Sequence, residues 1–250
     1  AYIDAGQTRF VRTYGVRNAA GDPLTPDTIM YGASLTKAVV GYSVMQLVDA
    51  GRIDLDRSIA DVLPQPLPEY NSAADEDAYA GWGALAGDER WRRLTPRMLL
   101  THSSGLPASV PLVSAWSGED AALALACTQS PTHAPGTFFR YSDVNFILLG
   151  RIAEHLAGKP LDVLVQEWLF APLGMRDTGF SVPANQHARL ATHYVGDVND
   201  PDKPGLRNAN HLPYERAFLR PVPRLNPGGG LVGSLADYTR LVHSLANGGA

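Results

Sequence analysis

The sequence predicts an α/β protein in the α+β sense, in which a mostly helical lobe is inserted into a sheet-bearing lobe. Two observations predict it. Short β-branched and aromatic runs open the chain, split by Gly6 and Gly15, and apolar helical segments then follow one another up to a glycine-rich approach to a last helix. On this pattern residues 1–30 and 226–250 belong to the α/β lobe, and 31–225 form the mostly helical lobe.

The elements follow in order. Residues from Ala1 to Val16 suit a hairpin or two edge strands, which Pro23 and Pro26 interrupt. From Ser34 to Ala50 apolar residues cover nearly every side of a helix ended by Gly51, as expected of a buried one. A linker rich in proline and acid, from Pro64 to Arg93 with Trp82 and Trp91 inside it, reads as an exposed excursion. Thr95-Pro96 gives an N-cap and a proline at the first helical position, opening a short helix that Gly105 and Pro107 terminate. Further helices are predicted over Asp143–Ala157, stopped by Gly158, over about Leu161–Phe170, and over Leu235–Ala246, capped by Ser234 with Asp237 in its first turn. The stretch from Pro183 to Pro227, rich in Pro, Asn and His, reads as irregular loop with room for short strands.

The bulk numbers bound the function. A chain of 250 residues, 45% hydrophobic and 18% charged, has an ordinary globular composition. Its net charge of -4 gives no electrostatic reason to expect nucleic acid or an anionic membrane as a partner, and small substrates fit better. No run reaches the roughly 18 apolar residues of a membrane span. The N-terminus lacks a signal-peptide pattern, although a leader removed earlier is compatible with it, so the compartment is left open. The chain starts on a strand and stops just past a helix, so both ends read as cut and part of the sheet is expected outside it. Cys127, the only cysteine, lies in an alanine- and leucine-rich stretch and reads as a small core residue.

Chemistry concentrates at Ser34-Leu35-Thr36-Lys37. A hydroxyl and an amine three residues apart on one helix face sit about 5–6 Å apart at Cβ, within reach of a side-chain hydrogen bond. A lysine buried in an apolar helix must be paired or neutral, and the helix N-terminus favours negative charge beside it. Ser34 is therefore the candidate nucleophile and Lys37 its proton-handling partner. The bland alternative is a capping serine with a snorkelling lysine, but the lysine's flanks are apolar. Tyr141-Ser142-Asp143 forms the second element, at the entrance of an apolar helix after Pro135-Gly136. As a phenolate near a lysine cation, Tyr141 can take the proton of Ser34; its bland reading is a packed aromatic.

The set as a whole resembles a family. Ser34-Leu35-Thr36-Lys37, Leu99-Leu100-Thr101-His102-Ser103-Ser104-Gly105-Leu106-Pro107, Pro135-Gly136-Thr137 leading to Tyr141-Ser142-Asp143, Leu148-Leu149-Gly150 and Pro172-Leu173-Gly174-Met175 look like successive landmarks of the serine β-lactamase and penicillin-binding-protein-like family. That family takes in class C β-lactamases, D-Ala-D-Ala carboxypeptidases and related serine esterases. The resemblance implies a β-lactamase/transpeptidase-like fold, with an antiparallel sheet flanked by helices beside the helical lobe. It also implies an acyl-enzyme on Ser34 and general-base duty shared by Lys37 and Tyr141.

The sequence departs from the family pattern twice. Position 143 is Asp where the family's second motif has Asn; a carboxylate cannot donate to the acylamino carbonyl of a β-lactam and would instead pair with Lys37, holding it as a cation and leaving Tyr141 as the base. That favours a simple ester substrate, while a plain N-cap role for Asp143 would remove the inference. The family's third motif, a Lys- or His-x-Gly strand supplying an oxyanion donor, is expected after Ala250. Asn226-Pro227-Gly228-Gly229-Gly230-Leu231 resembles the segment preceding it, which makes Gly229 and Gly230 candidate substrate-binding residues and is not followed by the Lys-Ser/Thr of a phosphate loop.

The function expected is a serine acyl hydrolase acting on small esters. Two alternatives stand beside it: a β-lactamase or D-alanyl-D-alanine carboxypeptidase acting on an amide or β-lactam, and a non-catalytic relative binding peptide or peptidoglycan. No G-x-S-x-G elbow is present, and Ser103 is read as a decoy. The histidines at 102, 133, 155, 187, 193, 211 and 243 lack metal-ligand spacing and read mostly as surface or loop residues, so no metal or cofactor is expected. Trp82, Trp91, Trp116 and Phe138 are candidates for lining an apolar acyl pocket. The oligomeric state is left open.

Overall fold

The structure is a computed structural model that describes residues 1–63, 88–108, 131–195, 207–208 and 226–249. In chain order its elements are β1 (Tyr2–Asp4), β2 (Gln7–Phe10), β3 (Ile29–Ala33), α1 (Thr36–Asp49), α2 (Pro96–Leu100), α3 (Asp143–Ala157), α4 (Leu161–Val165), α5 (Ala171–Leu173), β4 (Tyr194–Val195), β5 (Arg207–Asn208), β6 (Leu231–Ser234) and α6 (Leu235–Ala246). The chain divides into two compact units, one of residues 1–33, 166–222 and 230–250, the other of residues 34–165 and 223–229. The described residues of the segment from Gln166 to Val222 group with the strands.

The strand-bearing unit is held by antiparallel pairs. β1 and β2 form the N-terminal hairpin, with Asp4 opposite Gln7. β3 pairs with β6 in the register Ile29 to Ser234 and Tyr31 to Val232, and Ile29, Val182 and Val232 form the buried centre on which Tyr31 and Leu190 pack. Gly32 permits that pairing to be close, since a Cβ there would stand 3.0 Å from the Leu231 carbonyl oxygen. β4 and β5 are short strands that pair within the stretch expected to hold loop and short strands. α6 begins as its sequence predicts: the Ser234 hydroxyl accepts from the Asp237 N–H, and the Asp237 carboxylate in turn accepts from the Asp177 N–H at 2.6 Å and the Thr178 hydroxyl at 3.0 Å.

The helical unit is built around α1 and α3. Val39, Val40, Val44 and Leu47 of α1 and Val144, Leu148, Leu149 and Ile152 of α3 are all buried. Gly150 sits where α3 meets Pro227, and a Cβ there would come within 2.4 Å of the proline Cγ. α1 is less enclosed than its composition suggests: Leu35, just before it, is 50% and Met45 43% exposed, and Ala38, Met45 and Asp49 line one open stripe. α3 has the predicted bounds, with Gly158 in the left-handed conformation at its end (φ +68°). The predicted helix over Leu161–Phe170 is α-helical to Val165 and then widens into a π turn over Gln166–Phe170.

α2 ends earlier than expected. It stops at Leu100, and His102, not Gly105, is the left-handed residue that closes it (φ +57°), with the His102 N–H bonded to the Leu99 carbonyl and the Ser103 N–H to the Met98 carbonyl. Those two bonds make a Schellman closure, whose left-handed position is usually glycine. A side chain with a Cβ held there costs about 1–2 kcal/mol.

Candidate active site

The site is assembled from the start of α1, the start of α3, and the turn at Asn226–Gly229. Ser34 lies in the turn before α1 and not on its first helical position, its side chain exposed and preceded by Ala33 with a left-handed backbone (φ +44°). Its Oγ is 3.3 Å from the Lys37 Nζ, and the Lys37 N–H closes the turn onto the Ser34 carbonyl at 3.1 Å.

Lys37 is buried, 7% exposed, and three acceptors surround its ammonium. They are the Ser34 Oγ, the Asp143 carboxylate at 2.5 Å and the Gly228 carbonyl at 2.5 Å. As an ammonium, Lys37 has one proton for each of the three. Burying the charge is offset by that pairing.

Asp143 therefore does what a carboxylate at that position predicts, and the alternative of an N-cap is excluded. The cap of α3 is Ser142, whose hydroxyl accepts from the Asn145 N–H. Asp143 stands one residue later, its N–H donating to the Ala108 carbonyl and its carboxylate turned to Lys37. Tyr141 reaches the site with its ring, whose centroid lies 4.8 Å from the Lys37 Nζ, and it is 44% exposed. Phe146 completes this wall, 5.6 Å from the same nitrogen.

The glycine brought to Lys37 is Gly228, one residue before the predicted Gly229 and Gly230. A Cβ at Gly228 would lie 3.3 Å from the Asn226 Oδ1 and 3.4 Å from the Asp143 side chain, so the turn packs closely against Asp143. Gly229 closes the same turn by donating its N–H to the Asn226 carbonyl, and Gly230 leads into β6. A carbonyl contact of this kind leaves no trace in side-chain pattern, which is why Gly228 was not legible.

His102 was also missed. It is a buried residue and not a surface one, its ring 4.5 Å from the Tyr141 ring and 5.4 Å from that of Phe146. Its Nδ1 accepts from the Ser142 N–H at 3.1 Å and lies 3.3 Å from the Asn145 Nδ2. Burial, and secondarily the charge of Lys37, hold its pKa below the ordinary histidine value, opposed by Asp143. The available signal was a histidine just past a short helix, where a glycine closure is usual.

Of the aromatic residues offered for an acyl pocket, Trp91 is core, 2% exposed, and Phe138 is an exposed ring stacked on His133. Trp82, Trp116 and Cys127 lie outside the described residues.

A protein-family model described as Beta-lactamase matches residues 1–250. The chain belongs to the beta-lactamase family. It is 32% identical over 240 residues to the Mycobacterium tuberculosis protein Rv1367c, covering 92% of this chain and 57% of that one. It is 30% identical to penicillin-binding protein 4 of Amycolatopsis lactamdurans, over 76% of this chain and 46% of the relative, and 27% identical to esterase EstB of Burkholderia gladioli, over 96% and 63%. The chain thus spans about half to three fifths of the length of these relatives. The octameric penicillin-binding protein homologue from Pyrococcus abyssi superposes with a TM-score of 0.69 at 24% identity, covering 97% of this chain and 50% of that one, which establishes the beta-lactamase/transpeptidase-like fold.

Proposed function

We propose that this member of the beta-lactamase family is a serine acyl hydrolase that works through an acyl-enzyme on Ser34 and takes small carboxylic esters as substrates. The observation that carries the reading is the environment of the Lys37 ammonium: two of its three donors are fixed by Asp143 and Gly228, and the third is directed at the exposed Ser34 hydroxyl. A lysine so occupied has no lone pair with which to accept a proton. Base duty then falls to Tyr141, whose ring lies beside the same cation.

In the reaction the Tyr141 phenolate removes the Ser34 proton as Oγ bonds to the ester carbonyl carbon. The tetrahedral oxyanion is met by the Ser34 backbone N–H at the helix entrance. Collapse breaks the bond to the alkoxy group, which leaves as an alcohol with the proton from Tyr141, and water then adds to the acyl-serine to release the acid. Asp143 supports an ester over a β-lactam, since a carboxylate committed to Lys37 offers no N–H to an acylamino carbonyl. The name of esterase EstB, similar over 96% of this chain, supports the same class.

The test is turnover of a short-chain p-nitrophenyl ester and of a chromogenic cephalosporin by the full-length protein and its Ser34→Ala variant. Ester turnover lost in the variant, with little cephalosporin turnover, is expected. Rapid Ser34-dependent cephalosporin turnover would make the protein a β-lactamase, and no Ser34-dependent turnover of either would favour a non-catalytic relative.

A further inference from the structure

We infer that His102 is a positioning residue that sets Tyr141 against Lys37, through an acceptor nitrogen that must stay unprotonated. The inference rests on the Ser34 reading above and adds to it a group that touches neither Ser34 nor Lys37 by hydrogen bond.

The polarity of a buried network fixes the histidine's state. The Leu106 N–H donates to the Ser104 Oγ at 3.1 Å, so the Ser104 hydroxyl proton is directed to the Asn145 Oδ1 at 2.6 Å. With its oxygen so engaged, the Asn145 amide turns its nitrogen to the His102 Nδ1 at 3.3 Å. The Ser142 backbone N–H, a donor in every state, meets the same Nδ1 at 3.1 Å. Two donors converge on one nitrogen, and only the neutral tautomer with its proton on Nε2 accepts both. Ser104, Ser142 and Asn145 are fully buried, so water does not substitute for a lost bond.

The consequence falls on Tyr141. Its neighbour Ser142 is pinned by the histidine at the N–H, and by the Ser142 hydroxyl donating to the Pro107 carbonyl at 2.6 Å. The imidazole also packs against the Tyr141 ring, centroids 4.5 Å apart. One side chain thus holds both the backbone and the ring of the residue that moves the proton. The left-handed backbone of His102 (φ +57°) belongs to the closure of α2, which sets where this ring stands. Protonation of Nδ1 would turn an acceptor into a donor facing two donors. The charged and titratable groups around the imidazole are Lys37 on α1, Tyr141 beside it and Asp143 on α3. The first opposes a second cation and the last, committed to Lys37, relieves it only in part.

His102→Asn and His102→Leu separate positioning from mere filling. Asparagine tolerates a left-handed backbone and places an oxygen near the Nδ1 position, whereas leucine has no acceptor. The expected result is that His102→Asn keeps kcat for the ester within about fivefold of wild type while His102→Leu loses about 100-fold in kcat with little change in KM, the scale of a misplaced catalytic group. The acid limb of kcat against pH should shift to lower pH in His102→Asn. Nitrogen-15 spectra of the full-length protein should show an unprotonated Nδ1 at neutral pH. Equal kcat losses in both variants, an acid limb unmoved in His102→Asn, or a protonated Nδ1 would each overturn the inference. Should His102→Leu fail to fold, the pH profile of His102→Asn and the spectrum still decide. Absence of Ser34-dependent turnover in the wild type would instead refute the hydrolase reading, and the spectrum would then judge the acceptor state of His102 alone.

Discussion

Two ionic clusters, one in each unit, show what separates a site from a brace. In the strand-bearing unit Arg189 binds the Asp177 carboxylate through both terminal nitrogens, at 2.8 and 2.6 Å, and also the Asp27 carbonyl. Each of these bonds ties one stretch of the chain to another, and the Asp237 carboxylate, which accepts from the Asp177 N–H and the Thr178 hydroxyl, does the same. In the helical unit Lys37 makes three hydrogen bonds in a more buried place, and one of them ends on an exposed hydroxyl. A brace closes on itself, and a site leaves one bond directed at a group that can react.

That contrast is broken most sharply by Lys37→Ala. It should lower ester turnover by about 1000-fold or more, as expected when a member of a catalytic unit is removed, and cost only about 1–3 kcal/mol of stability because Asp143 remains partly solvated. A turnover loss under tenfold in a kinetic assay would count against the site. Arg189→Ala is the mirror case. It should leave ester turnover within a few-fold and lower stability by about 1–3 kcal/mol, read from the urea midpoint, since Asp177 loses a bidentate partner.

Asp143→Asn sharpens the comparison by altering one contact of Lys37 and not removing it. An amide oxygen still accepts from Lys37 and the amide nitrogen becomes a donor, so the ratio of cephalosporin to ester turnover should rise about tenfold. The smallest effect expected is on stability against pH. The folded pKa of His102 lies below its ordinary value of 6.5, so the unfolded chain binds the proton more readily. The stability tied to the neutral ring is present above about pH 6.5 and is lost as pH falls through that value toward the folded pKa. His102→Asn should flatten this part of the profile measured by urea unfolding.

Legibility followed the range of the interaction involved. α3 and α6 could be bounded from the sequence because their ends are local: the turn before Asp143, Gly158 beyond Ala157, and Ser234 with Asp237. The Lys37–Asp143 pair was legible from chemistry, because a buried ammonium needs an acceptor and position 143 supplies one. The Gly228 carbonyl was not, since the direction of a backbone oxygen 191 residues away depends on the tertiary path. His102 was hidden for the same reason, its acceptor role being set by the Ser142 N–H and by an amide oriented through Ser104. The π turn after Val165 has no pattern that a 3.6-residue period would reveal.

The central claim is that Ser34 carries the acyl group, and peptide mass spectrometry of the full-length protein quenched during turnover of a p-nitrophenyl ester tests it directly. The account predicts an acyl adduct on the peptide containing Ser34, absent in Ser34→Ala. An adduct on the peptide containing Ser103, or ester turnover that survives Ser34→Ala, would contradict it.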